Sequence, residues 1–168
     1  MSNAMPYQLV ETNLLIPALQ RAVTSIRSNR VRLILLVASS GKGKTKILQK
    51  YAVENDFPLL SLGLLITKAI QEGILPEKLI IYLRQEFEGL GETVLLDNIE
   101  VLFQPSLRLQ VLQLLKLLSR ERTLIATFPG RMIDGSLVYA EASYPEYKVF
   151  SQYEIKDFVI LDMNGELK

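Results

Sequence analysis

The stretch that most restricts what this chain can fold into is Val31 to Thr45. A near-continuous apolar run, Val-Arg-Leu-Ile-Leu-Leu-Val, passes directly into Ala38-Ser39-Ser40-Gly41-Lys42-Gly43-Lys44-Thr45, and then into a helical pattern with Ile47, Leu48, Tyr51 and Ala52 on one face. An apolar run of that kind suits a strand covered on both faces, as in parallel sheets. Gly41 and Gly43 let successive backbone N–H groups turn inward, and the helix starting near Lys44 adds its positive dipole end, so the segment suits phosphate oxygens. The competing reading is a solvated glycine-lysine turn. Residue usage makes such an octet a chance event on the order of one in a hundred for a chain of this size.

The rest of the chain repeats the alternation. Thr12 or Asn13 can cap a helix with Leu15, Leu19, Ala22, Val23 and Ile26 on one face. Pro58–Leu62 reads as a second strand, Leu64–Gln71 and Pro76–Phe87 as helices, and Thr93–Asp97 as a third strand. A helix from Pro105 to about Arg120 and a fourth strand, Thr123–Phe128, closed by Pro129-Gly130, follow. Beyond Ile133 three strand-like runs appear, Leu137–Tyr139, Tyr147–Tyr153 and Phe158–Met163, with no obvious helix and a final Asn164-Gly165 turn. The expected fold is α/β in three layers, with a mostly parallel central sheet, a small C-terminal antiparallel strand element and no helical lid domain. Met1-Ser2-Asn3-Ala4 reads as an expression-tag remnant, which leaves residues 5–168 as one domain.

Composition narrows the chemistry. The 168 residues contain no cysteine and no histidine, which excludes disulfides, thiolate nucleophiles, Cys/His zinc sites and imidazole-dependent triads. Nineteen basic and eighteen acidic residues leave a net charge of +1, too little to draw the whole domain to nucleic acid or membrane. Arg27, Arg30 and Arg32 form the one dense basic cluster, more simply a solvated helix end than a DNA contact. No apolar run approaches the roughly 18 residues of a membrane span. The absence of a secretory signal and of cysteine makes the cytoplasm the expected compartment. A mean hydropathy of +0.21 and leucine-rich faces point to a self- or partner interface, or to a compact leucine-rich core.

Ala38–Thr45 fits the Walker A pattern GxxxxGK followed by Ser or Thr, with alanine in the first glycine's place. Ser39, Ser40, Gly41, Lys42, Gly43, Lys44 and Thr45 are the candidate nucleotide-binding residues. Lys44 would bridge the terminal phosphates of ATP, whereas Lys42 is not required by the pattern and reads more simply as a loop charge. Thr45 and Asp97 are the candidate Mg²⁺ residues, because that ion takes hard oxygens and only one or two from protein. Asp97 ends the apolar strand Thr93-Val94-Leu95-Leu96, as a Walker B acid does; the alternative is a capping role.

Three residues are candidates for handling the attacking water. Asn98 follows Asp97 directly, and its amide can orient water without accepting a proton. Glu100 supplies a carboxylate three residues beyond Asp97, and the choice between the two stays open. Thr127, at the end of the fourth strand, would touch the γ-phosphate or the water; its plainer explanation is β-propensity. Arg131 would serve as an arginine finger in its own or a neighbouring subunit, against the simpler solvated reading. No Asn-Lys-x-Asp guanine-reading segment stands out, which favours ATP over GTP.

The order of loop, Asp-ended strand and polar strand end resembles the P-loop NTPases, in the additional-strand division that includes AAA+ ATPases; Asp97-Asn98-Ile99-Glu100 is similar to the Walker B region of initiator-type AAA+ proteins. More narrowly, the chain is similar to the small stand-alone BrxF family of type-III BREX bacteriophage-defence systems. The resemblance lies in its length, Ala38–Thr45, Leu95–Glu100, Leu137-Val138-Tyr139-Ala140-Glu141 and Tyr144-Pro145-Glu146-Tyr147. It implies a bacterial cytoplasmic ATPase acting beside other phage-defence proteins, with DNA contacted indirectly. The function expected is a slow or partner-activated Mg-dependent ATPase used as a switch. The alternatives are a small-molecule P-loop kinase and a nucleotide-binding adaptor without hydrolysis.

Overall fold

The computed structural model describes residues 7–39, 43–139 and 147–164. Its main sheet is parallel throughout, in the order β1 (Tyr7–Leu9), β8 (Val159–Asp162), β2 (Leu33–Ala38), β5 (Thr123–Ile133), β4 (Thr93–Asp97) and β3 (Leu59–Ser61). The strand that leads into the phosphate loop, β2, is therefore separated from the Asp-ended β4 by β5.

Side-chain alternation along the strands divides the core in two. Leu33, Leu35 and Val37 of β2, with Val94, Leu96, Leu124 and Ala126, pack on the side of α3 (Leu62–Gln71), α4 (Leu79–Phe87) and α5 (Val111–Leu118). Ile34, Leu36 and Ala38, with Leu95 and Ile125, pack on the side of α1 (Leu15–Ile26) and α2 (Lys44–Asn55). Every residue of β2 is buried, as its unbroken apolar sequence demands. The result is the expected three-layer α/β arrangement.

Several local expectations are corrected. β5 does not stop at Pro129-Gly130 but runs to Ile133, changing partner at the proline: Ala38 pairs with Pro129, and Gly130 begins an antiparallel ladder with β6 (Ser136–Tyr139). Pro129 thus sits where the ladder passes from one neighbour to another, a position that tolerates a missing N–H. The Tyr147–Tyr153 run yields only β7 (Lys148–Phe150), because Ser151 and Glu154 form a capping box that starts α6 (Gln152–Ile155).

The last run is not part of the antiparallel element. All four residues of β8 are buried, so it lies inside the parallel sheet between β1 and β2. β1 itself had no expected counterpart. The helix expected from Pro105 is broken: Pro105–Leu107 is a 3-10 turn, Arg108 takes φ 51°, and α5 begins only at Val111. α1 grows out of a 3-10 turn at Thr12–Leu14, with no side-chain cap bond at its start. Gly165, Met1–Ala4 and the Ala140–Glu146 part of the family resemblance lie outside the described residues. No helix among the described residues is long and apolar enough to cross a membrane.

Candidate functional site

The strand parity that divides the core also aims the site residues. Asp97 follows Leu95 and Thr127 follows Ile125 by two positions, so both project on the α1/α2 side, where α2 begins at Lys44. Gly43, at φ 79°, lies in the left-handed region at the helix start, where glycine avoids the Cβ penalty. Thr45 is exposed in the first turn of α2. Ser40, Gly41 and Lys42 lie outside the described residues.

Lys44 is half-buried, and its Nζ donates to the Ser39 carbonyl at 3.4 Å. Burial pushes its ammonium below the usual lysine range, against the opposing pull of the Glu100 and Asp97 carboxylates. Both acids therefore act on the loop lysine. Asp97 is 8% exposed, and its Oδ1 accepts the Thr127 hydroxyl at 2.7 Å and the Asn98 N–H at 2.9 Å.

Asn98 occupies the left-handed region at φ 57°, ψ 47°, which turns the chain sharply off the end of β4. Its side-chain amide donates to Ser61 Oγ at 3.0 Å, and the same oxygen accepts the Leu64 N–H at the start of α3. Ser61 pairs with Asp97 across β3 and β4. Glu100 is exposed in the 3-10 helix Ile99–Phe103. That short helix is anchored by Phe103, which stacks on Tyr139 at 3.7 Å and meets Phe128 edge-on at 5.9 Å. A cavity of about 420 Å³ lies elsewhere, beside Tyr7 and Lys156; another, of about 640 Å³, is lined by Ser61, Gly63, Thr67, Asn98, Glu100 and Gln104.

The structure thus gathers Lys44, Asp97, Asn98, Glu100 and Thr127 at one end of the sheet. Thr127 is fully buried, and its hydroxyl is engaged by Asp97. Arg131 is exposed on the extension of β5, opposite Val138. Arg32, from the basic cluster, is taken up internally: it lies 3.6 Å from Glu92 and donates to the Arg120 carbonyl. The hydroxyl of Thr45 and the carboxylate of Asp97 are hard oxygen donors, a set that fits Mg²⁺ completed by phosphate and water oxygens. No group of three or more His, Cys, Asp or Glu suited to a metal ion occurs among the described residues.

Sequence reasoning missed Ser61 and Asn164. Ser61 precedes an apolar helical run, the ordinary signal for a cap. Asn164 carries no such signal, because its partners, Ser39 and Gly130, are distant in sequence.

No family model matches the chain, and no curated protein matches it. Among solved structures, domain III of the replication initiation protein DnaA from Thermotoga maritima is similar with a TM-score of 0.51 and 13% identity, covering 93% of this chain and 64% of that one. The two share the fold, an α/β architecture with a mostly parallel central sheet. Weaker likenesses are to replication initiator DnaA bound to AMPPCP and single-stranded DNA (TM-score 0.48, 16% identity, 87% of this chain, 45% of that one) and to C. elegans PCH-2 (0.43, 17%, 92% and 42%). The chain spans less than two thirds of each of these structures.

Proposed function

We propose that this chain binds Mg·ATP through a single P-loop domain and hydrolyses it slowly or on activation by a partner, so that bound nucleotide acts as a switch. The observation that carries the reading is the placement of Lys44: first residue of the helix after the loop, half-buried, and under the pull of both Asp97 and Glu100. A lysine drawn partly out of water beside two carboxylates suits a polyanion that brings its own divalent cation.

In this reading Lys44 and the loop N–H groups hold the phosphates, and Thr45 and Asp97 would hold Mg²⁺, which supplies charge neutralisation when bound. Thr127 fixes the Asp97 carboxylate. Glu100 is the better candidate to take the proton of water, because Asn98 is bonded to Ser61 while Glu100 acts on Lys44. The water oxygen would form a bond to the γ-phosphorus as the bridging bond to ADP breaks. The adaptor alternative keeps the binding and drops this step.

The cavity beside Asn98 and Glu100 favours one second reading, in which a small hydroxyl-bearing acceptor replaces water. Placement in a phage-defence complex, beside its other proteins and in indirect contact with DNA, is supported by the sequence resemblance alone, as is a bacterial cytoplasmic setting.

The test is titration with a fluorescent ATP analogue, with and without Mg²⁺, alongside phosphate release. Mg-dependent binding that is lost in Lys44→Ala supports the reading, and equal affinity of the two proteins overturns it. Label from the γ-phosphate appearing on an added hydroxyl compound instead of in free phosphate would favour the kinase reading.

A further inference from the structure

The polar contacts around Asn164 form a clasp on the start of the phosphate loop. Its Oδ1 accepts both the Ser39 N–H at 3.0 Å and the Ser39 hydroxyl at 3.2 Å. Its Nδ2 donates to the Gly130 carbonyl at 3.0 Å, and its backbone N–H donates to Asp162 Oδ1 at 2.9 Å. The chemistry fixes which way the amide points: turned over, it would set an NH₂ against the Ser39 N–H and an oxygen against a carbonyl. One side chain thus ties the first residue beyond β2 to the point where β5 leaves the parallel sheet. Asp162 is itself held from the other side, its Oδ2 accepting the Tyr7 hydroxyl at 3.1 Å.

We infer that Asn164 is a positioning residue for nucleotide binding, acting by fixing Ser39, the residue that follows β2; this rests on the P-loop reading above. Ala38 is fully buried in β2, so Ser39 is where the backbone becomes free to choose a direction. A loop directed before the ligand arrives loses less conformational freedom on binding than one that must be ordered by it. A neutral amide suits the task. A carboxylate at the same place would retain an acceptor for Ser39, lose the bond to Gly130, and set a negative charge beside the incoming phosphates and near Asp162.

The test compares wild type, Asn164→Ala, Asn164→Asp, Ser39→Ala and the double variant Ser39→Ala/Asn164→Ala. Affinity for the fluorescent ATP analogue is measured together with amide hydrogen exchange of the nucleotide-free proteins. Asn164→Ala should weaken the analogue on the order of tenfold, and Asn164→Asp more. Ser39→Ala, which keeps the backbone N–H bond, should weaken it less, and the double variant should be no worse than Asn164→Ala, as coupled partners are.

Exchange at the Ser39 amide should quicken in Asn164→Ala while the amides of Leu33–Val37 stay protected, which a general loss of stability would not produce. Unchanged analogue affinity in Asn164→Ala, additive losses in the double variant, or unaltered Ser39 exchange each overturn the proposal. If wild type binds no analogue, the nucleotide reading and the positioning role fall together; normal wild-type binding with an unaffected Asn164→Ala variant sinks the positioning role alone.

Discussion

Thr127 donates its hydroxyl to Asp97 Oδ1 at 2.7 Å, from a fully buried position in the middle of β5 to a carboxylate almost as deeply enclosed. The two residues stand on neighbouring parallel strands, β5 and β4, one position beyond the last pair of their ladder, Leu96 with Ala126. An acid at that depth needs partners, and it has a hydroxyl on one side and its own neighbour's N–H on the other, both on the same oxygen. The bond therefore fixes the carboxylate's rotation about its terminal torsion, which is otherwise broad.

Replacing Thr127 by valine keeps the shape and removes the donor. The expected loss is about 1.5–3 kcal/mol of folding stability, the range for hydrogen bonds to charged groups. It should also weaken the Mg²⁺-dependent part of nucleotide binding while sparing the Mg²⁺-independent part. Thr127→Ser should recover most of both. Urea unfolding and titrations with and without Mg²⁺ check this; a valine variant as stable as wild type would mean that Asp97 does not depend on the bond.

Glu100 and Asn98 separate by substitution. If Glu100 takes the proton of water, Glu100→Gln should bind ATP and release phosphate on the order of a hundredfold more slowly in a single turnover. Asn98→Ala loses its bond to Ser61 and should slow release far less. The opposite ranking would assign the water to Asn98.

How far the sequence discloses this arrangement depends on whether the signal is local. The strands β2 and β4 were legible because both faces of each are covered, so Leu33–Val37 and Val94–Leu96 are apolar throughout; the expected start at Val31 was two residues early, and β2 runs from Leu33 to Ala38. The helix start at Lys44 and the acid at the end of β4 were legible because each is marked by its immediate sequence neighbours. β1 was not, since Tyr7–Leu9 is three residues long; β8 was legible as a strand within Phe158–Met163 but not as a member of the main sheet, which only the pairing of Tyr7 with Ile160 and of Ile34 with Val159 establishes. α6 was missed although Ser151 and Glu154 spell its capping box, because the aromatic and β-branched residues around it suggest a strand. Asn164 depends on contacts 125 and 34 residues away, which no local pattern encodes.

Tyr7 gives a pH-dependent test of the edge next to that clasp. Burial first, then the charge and hydrogen bond of Asp162, push its phenol up from 10.0 to about 12. The folded state thus keeps the proton where the unfolded chain loses it. Stability from this group is complete below pH 10 and falls as pH rises through 12. In Tyr7→Phe that dependence should disappear, so the wild-type advantage in unfolding free energy should shrink steadily between pH 10 and 12. A constant difference across that interval would show that Asp162 does not hold the phenol in solution.

Gly130 should be the least replaceable glycine of the hairpin. A Cβ built there would collide with the Val138 carbonyl oxygen and lie 3.0 Å from the Phe128 ring. The first neighbour is backbone on the paired strand, so relief requires β5 and β6 to separate where Gly130 pairs with Tyr139. The same residue offers its carbonyl to Asn164. Gly130→Ala should therefore destabilise by about 1–3 kcal/mol or more, as overpacking does, and should weaken nucleotide binding through the disturbed clasp. Gly73→Ala is the control: its φ of 79° is strained for alanine, but nothing lies within 4 Å of the new atom. It should lose about 1–2 kcal/mol from backbone strain alone and leave nucleotide affinity unchanged. Urea unfolding and analogue titration of the two variants side by side decide the matter: equal nucleotide affinities would mean that the hairpin junction does not communicate with the loop.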